Sequence, residues 1–459
     1  SDGDGVLDAP EVNADLPYDP NNWVDTSFAR VRARWDHKEE SHTHSTWIAI
    51  GPEQQQNLLG AWWLSREGPY RGRVKGLTSV LRRDDAWKLG NHGVLGGLQF
   101  THRPVTALDF SDVLDDPDRS ATSTNDNQTR FSVWIEPQFR VGDWYIGAGS
   151  RTAAYWWGDS DSLQYEPRLS VRKAISEYWK AKAAIGHYSQ MPAIERYAQG
   201  IGNPTLPETT AWQVSAGAEG TLPSGVSFDG SVYGGWMQNL VVRDLQYELY
   251  NNGDVVYSEL VPNFRPVEGI AFGIEAILRL QPGQRRWWGW MTMTLGRALR
   301  IDQENGERFP SDYDQPFSLG AVAAYDLGER KCISMNLRGL IFKREKSQNP
   351  CRWEASGRAQ FTSGQPYTPI YGVYDPFYEY FHQLRGNINS ERYPNYFRLD
   401  LRVERTRSAR RVDWSTYLDV YNATWRKNPI MAVYNYEYSE LTTLAHIPIL
   451  PSLGIEAQF

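Results

Sequence analysis

Apolar and polar residues alternate one for one through the end of the chain. Leu453, Ile455, Ala457 and Phe459 fall on one side of an extended segment, and Ser452, Gly454, Glu456 and Gln458 on the other, because successive strand side chains point to opposite faces. One face suits hydrocarbon and the other water, as a strand in the wall of a transmembrane barrel requires; the edge of a soluble sheet would accept the same pattern. The preceding segments decide between the two. Phe397, Leu399, Leu401 and Val403 alternate with Arg398, Asp400, Arg402 and Glu404. Four charges on one face of one strand cannot meet a dry core, whereas a watery or plugged lumen takes them while lipid takes the other face. Trp414, Thr416, Leu418 and Val420 repeat the pattern against Asp413, Ser415, Tyr417 and Asp419.

Read along the whole chain, the pattern predicts an all-β fold: an antiparallel, up-and-down transmembrane barrel with about seventeen strands from near Thr26 to Phe459. Ser45 to Glu67 reads either as one long strand or as several short ones. If Phe459 ends in the periplasm, counting backward makes Arg405 to Arg411 a periplasmic turn. The same count puts Gly364 to Pro394, Trp425 to Leu450, Asn239 to Pro266, Gln303 to Gln315 and Arg103 to Gln128 outside the cell. All the long polar loops then fall on one side, as in outer-membrane barrels. An odd count does not close an ordinary bacterial barrel, so further strands are expected before Ser1. Residues 1–25 read as an acidic extracellular segment and 26–459 as the barrel, with an insertion at 331–351.

Composition agrees with a membrane wall. The chain holds 19 Trp and 26 Tyr, amphipathic rings that suit the two interfacial girdles of a barrel, although carbohydrate-binding sandwiches and propellers are rich in them too. A mean hydropathy of −0.57 is expected when only alternate residues meet lipid. No apolar run reaches the roughly 18 residues of a spanning helix. The net charge of −7 provides no basic stripe for nucleic acid. The chain opens on Ser1 with no leader, which reads as a processed or excised product.

Several segments together resemble a known family. Glu166-Pro167-Arg168-Leu169-Ser170, Ala184-Ile185-Gly186-His187-Tyr188-Ser189-Gln190-Met191-Pro192 and Gly202-Asn203-Pro204-Thr205-Leu206-Pro207-Glu208 resemble the middle of TonB-dependent outer-membrane transporters. Thr362 to Pro369, Phe397 to Arg402, Tyr417 to Asn422 and the terminal Phe459 resemble their last strands, with Phe459 as the assembly signal. The resemblance implies a barrel of about 22 strands in a Gram-negative outer membrane, plugged by an N-terminal domain. It also implies import of a scarce solute such as a metal chelate, cofactor or glycan fragment, driven through TonB by a box ahead of the plug. The front of this chain departs from that pattern, with no plug-like sequence, no TonB box and fewer strands. A separate or missing plug-bearing segment is therefore an expected partner, beside lipid and lipopolysaccharide. The alternative is a barrel without transport, anchoring lipoprotein or periplasmic partners. No nucleophile elbow, H-E-x-x-H or Walker loop points to catalysis.

Candidate sites follow. Ser1 to Glu11 fits positions two to twelve of an EF-hand loop, with Asp2, Asp4 and Asp8 as carboxylate ligands, Val6 offering its carbonyl, Glu11 bidentate and Gly5 at the turn. That makes calcium the one cofactor expectation, against a plain acidic, glycine-rich loop. Cys332 and Cys351 frame the insertion, and an oxidising periplasm suits a disulfide between them; unpaired thiols or an extra hairpin are the alternatives. Tyr367, Tyr371, Tyr374, Phe377, Tyr378, Tyr380 and Phe381 form an aromatic loop able to contact a solute or partner, with Asp375 and Glu379 to orient polar groups, or else a self-packed lid. Trp287, Trp288 and Trp290 read as wall and girdle. His42 and His44 read as polar turn residues, with weak metal binding as the other reading.

Overall fold

The computed structural model describes residues 23–59, 70–111, 122–197, 203–244, 263–283, 285–303, 306–330, 351–376, 380–409, 412–435 and 437–458. Nineteen strands make one antiparallel sheet. Trp23–Phe28 and Val31–Lys38 both pair with His42–Leu59, and Arg308–Pro310 and Phe317–Arg330 both pair with Trp287–Ile301. The described sheet therefore has seventeen wall positions, the number that the alternation predicts. His42–Leu59 is one strand of 18 residues, which resolves the ambiguous region.

Connections mostly alternate in length as expected, the exception being 158–159, a two-residue turn at the end that carries the long loops. At one end lie 39–41, 90–91, 142–143, 175–178, 222–225 and 410–411; at the other lie 191–208, 245–262, 363–395 and 422–449. Gly90 and Gly142 take φ of 61° and 57° in two of the tight turns, a region closed to most side chains. Positions 331–350 join two strands at the short-turn end and lie outside the described residues.

Some expected loops are shorter than predicted. Tyr396–Ala409 stays in strand through most of the expected turn, residues 103–109 pair with 122–128, and 240–244 pair with 263–267. Beyond the hydrocarbon, ladder hydrogen bonds hold a strand without help from an apolar face, so alternation stops before the strand does. His42 and His44 are likewise strand residues rather than turn residues, opposite Trp87 and Asp85.

The two faces of the wall separate cleanly. Ile48, Leu81, Phe100 and Phe131 form a row across four strands and are 39–57% exposed, a lipid-facing band. Trp35, Trp87, Trp144, Trp179, Trp287 and Trp414 are exposed on the same face toward the short-turn end, and Trp156, Trp212 and Trp236 toward the other. Those are the two girdles. Trp287 belongs to the first, whereas Trp288 faces the lumen and donates its indole N–H to Glu354 Oε2 at 3.2 Å, stacked with Trp290. Among the described residues the sheet's first position pairs only with His42–Leu59 and Leu450–Gln458 only with Val412–Tyr421, so both outer strands keep an open edge.

Candidate functional site

The lumen face is built on i, i+2 pairs, which strand periodicity sets on one side. Arg82 grips Asp84, Arg398 grips Asp400 and Arg402 grips Glu404, at 2.7–3.0 Å. Arg402 also reaches Asp419 at 3.4 Å and lies 3.8 Å over the Tyr417 ring. Arg398 caps Tyr421 at 4.4 Å and Arg168 caps Tyr188 at 4.7 Å. Such pairs hold long cations against the wall and keep the lumen face polar.

One stretch of the lumen is dry. The segment 191–208 carries the four-residue helix Ile194–Tyr197 back against the wall, where Ile194, Tyr197 and Leu206 bury themselves with Val105, Ala153, Tyr155 and Trp157. Tyr197 donates its hydroxyl to Asp126, whose two oxygens also accept the Gly158 N–H at 3.0 Å each. Burial and the Asp126 carboxylate push the Tyr197 phenol well up. Asn203 ties the segment's far side by donating to the Phe264 carbonyl at 2.7 Å. Sequence reasoning missed this core; the signal available was Ile194, Tyr197 and Leu206 inside an otherwise polar loop.

Above the lumen the aromatic loop is an ordered layer. Residues 363–395 carry the hairpin Ile370–Asp375 with Tyr380–Arg385 and the bridge Pro366–Tyr367 with Glu391–Arg392. Tyr367 stacks on Tyr393 at 4.6 Å and Tyr374 packs on Phe381 at 5.2 Å. Tyr371 and Tyr374 remain 52% exposed. The next loop supplies a second hairpin, Pro429–Tyr434 with Leu441–Ala445. The two meet where Tyr434 Oη accepts the Ile370 N–H at 3.1 Å and where a Cβ on Gly372 would lie 2.0 Å from the Glu437 carbonyl. Glycine permits that approach. Burial raises both the Tyr367 and Tyr434 phenols.

The layer is anchored by buried polar groups. Asp314 is fully buried, binding Arg392, reaching Arg297 at 3.2 Å and accepting the Ala298 N–H at 2.6 Å. Asn389 donates to the Pro310 carbonyl and to Asp312, both at 2.8 Å. Asn428 bonds both backbone groups of Phe397, at 2.8 and 2.9 Å. These side chains fix three loops as one collar.

Of the predicted contact residues, Tyr367, Tyr371, Tyr374 and Phe381 therefore share this collar. Asp375 and Tyr380 pair in register at its hairpin end, while Phe377, Tyr378 and Glu379 lie outside the described residues. Asp2, Asp4, Val6, Asp8 and Glu11 also lie outside them, as does Cys332. Cys351 opens the strand Cys351–Thr362 and is fully buried.

Solved structures share this architecture at low identity. The "Copper transporter OprC" matches with a TM-score of 0.63 and 11% identity over 94% of this chain and 65% of its own. The ferripyoverdine receptor of the outer membrane of Pseudomonas aeruginosa, bound to ferripyoverdine, matches with a TM-score of 0.62 and 12% identity over 95% and 57%. The ferric-catecholate import receptor Fiu from K12 E. coli matches with a TM-score of 0.61 and 12% identity over 95% and 64%. This chain thus spans somewhat over half the length of the solved proteins that it matches. No curated protein sequence matches it. The family model described as "TonB dependent receptor-like, beta-barrel" matches residues 1–423. With an alternating wall, two aromatic girdles and a polar lumen already in place, that match over most of the chain means that it belongs to the TonB-dependent receptor-like β-barrel family of Gram-negative outer membranes.

Proposed function

We propose that this barrel, completed by a plug-bearing N-terminal segment, imports a scarce solute across the outer membrane with energy delivered through TonB. The observation that carries the reading is the anchored aromatic collar over a polar lumen. Flat rings held rigid by buried Asp314, Asn389 and Asn428 can bind a large planar or apolar solute at low entropic cost, and the i, i+2 charge pairs below give a wetted passage. Of the expected solute classes we favour a metal chelate, the kind of cargo that the ferripyoverdine and ferric-catecholate receptors carry in their names. The open edges of the described sheet are where the segment's strands would pair. Calcium on Asp2, Asp4, Val6, Asp8 and Glu11, and a disulfide between Cys332 and Cys351, belong to the same proposal.

The test is solute binding and uptake by whole cells expressing the full protein. Replacing both Tyr371 and Tyr374 by Ala is expected to weaken binding by at least about tenfold, since each ring is worth roughly a kcal/mol or more. The assembled barrel should remain heat-modifiable on gels. Unchanged binding by that variant, with the barrel assembled, would assign the collar to a self-packed lid.

A further inference from the structure

We propose a divalent transition-metal site on the outward face of the wall at the short-turn end, built from His42, His44 and Asp85. It is separate from the collar and lumen. His42 and His44 stand two apart on one strand and so share a face. Register sets Asp85 opposite His44 on one side, so donors from two strands converge, and His37 opposite it on the other, where His37 Nε2 lies 2.9 Å from Glu39 Oε1.

The geometry favours a metal over a set of ordinary hydrogen bonds. Ligand atoms of His42, His44 and Asp85 all lie within 4.8 Å of one another. His42 Nε2 stands 3.0 Å from Asp85 Oδ1, and the His37 and His42 rings are centred 5.2 and 5.5 Å from His44. Both ring nitrogens of His44 are buried and lack a partner among the described residues. A buried imidazole with two unmet nitrogens costs desolvation with no return, and a metal ion would take one lone pair at about 2 Å after small side-chain rotations. Two imidazoles and a carboxylate suit zinc, copper or nickel rather than calcium or magnesium. Two indoles wall the cluster, with Trp35 edge-on to His44 at 4.8 Å and Trp87 stacked on His42 at 5.2 Å. Bound metal would tie two strands together near an open edge of the sheet.

Arg83 determines the sign of the decisive test. Its guanidinium holds both Asp85 oxygens at 2.8 and 2.9 Å. It therefore repels an incoming cation and competes for one of the ligands. If the cluster instead bound a phosphate, from a lipid headgroup or free in solution, Arg83 would be the main anchor. Removing its charge should strengthen the first kind of site and abolish the second.

The experiment is calorimetric titration of the detergent-solubilised full protein with Zn2+ alone. Saturable one-site binding is expected, weakened at least about tenfold by His42→Gln with His44→Gln and by Asp85→Asn. Arg83→Gln should tighten it, and His187→Gln, an imidazole set against Trp212 elsewhere on the wall, should leave it unchanged. Absent binding, binding that survives the double histidine variant, or weakening by Arg83→Gln would each overturn the proposal. Should the double variant fail to fold, zinc protection of His42 and His44 from ethoxyformylation in the unaltered protein decides, and modification that proceeds equally with and without zinc counts against the site.

Discussion

The C-terminal wall and the region around 153–206 turn the same kind of face inward and fill it with opposite chemistry. Between Tyr396 and Gln458 the inward positions include Arg398, Asp400, Arg402, Glu404 and Asp419, partly buried and paired along and across strands. Around Ala153, Tyr155 and Trp157 the inward positions meet Ile194, Tyr197 and Leu206 in a patch that excludes water. The difference lies in what stands opposite the strand. Among the described residues nothing folds back over the C-terminal wall, and its charges stay partly exposed, whereas the second region faces its own folded-back loop. A barrel interior thus takes its medium locally, from the loops that enter it.

The largest effect is expected from breaking the dry side. Tyr197→Ala removes a fully buried ring and leaves Asp126 without its phenol partner, a loss of about 3–5 kcal/mol of local stability. Limited proteolysis should then cut within 191–208 while the wall strands stay protected, and an uncut segment would deny the patch its role. The pH dependence has a definite sign. Because the native phenol is shifted up by burial and by Asp126, its contribution is complete below the ordinary tyrosine value near 10 and is lost only as pH climbs through the higher native one. Protection of the segment should therefore persist somewhat above pH 10.

A second test carries the dry medium to a charge. Asp314 has the same chemistry as Asp400, with the same type of partner, but its side chain is fully buried between Arg392 and Arg297. Asp314→Ala leaves two guanidinium groups without their anion and the Ala298 N–H without its acceptor. We expect a cost of about 3 kcal/mol and loosening of loop 363–395, read as faster amide exchange at residues 364–393. Exchange unchanged from the parent protein would show that the collar is held by its hairpins alone.

The same contrast explains what was legible in the sequence. Wall strands were readable because a lipid face and a wet face impose a two-residue period locally, as in Phe397 to Glu404, and seventeen positions could be counted. Turn boundaries near Arg405 and Arg103 were not, because strands outside the membrane keep their ladders without that period. The aromatic density of 367–381 marked the collar, and four of its rings meet there. Its anchors were hidden, since Asp314, Asn389 and Asn428 are ordinary loop residues that reach Arg392, Pro310 and Phe397 across 78, 79 and 31 positions. The dry patch was hidden for the same reason, with Tyr197 reaching across 71 positions to Asp126. His42 and His44 gave a period but not the facing Asp85, 43 positions from His42.

The smallest effect belongs to the wet wall and makes the comparison quantitative. Arg402 holds Glu404 at 2.7 Å, reaches Asp419 at 3.4 Å and covers Tyr417, so its list of partners is longer than that of Tyr197. A tally of charged and cation–π contacts alone would rank it first. Yet its side chain is 34% exposed, with Glu404 at 26% and Asp419 at 34%, and water can take over each carboxylate that Arg402→Gln releases. Exposed ion pairs are worth up to about 1 kcal/mol and less in salt. The variant should therefore assemble normally, resist protease like the parent and shift thermal unfolding by only a small amount that shrinks further at high ionic strength. A loss as large as that of Tyr197→Ala would mean that the lumen beside Arg402 is dry as well, and that the plug-bearing segment or another element fills it.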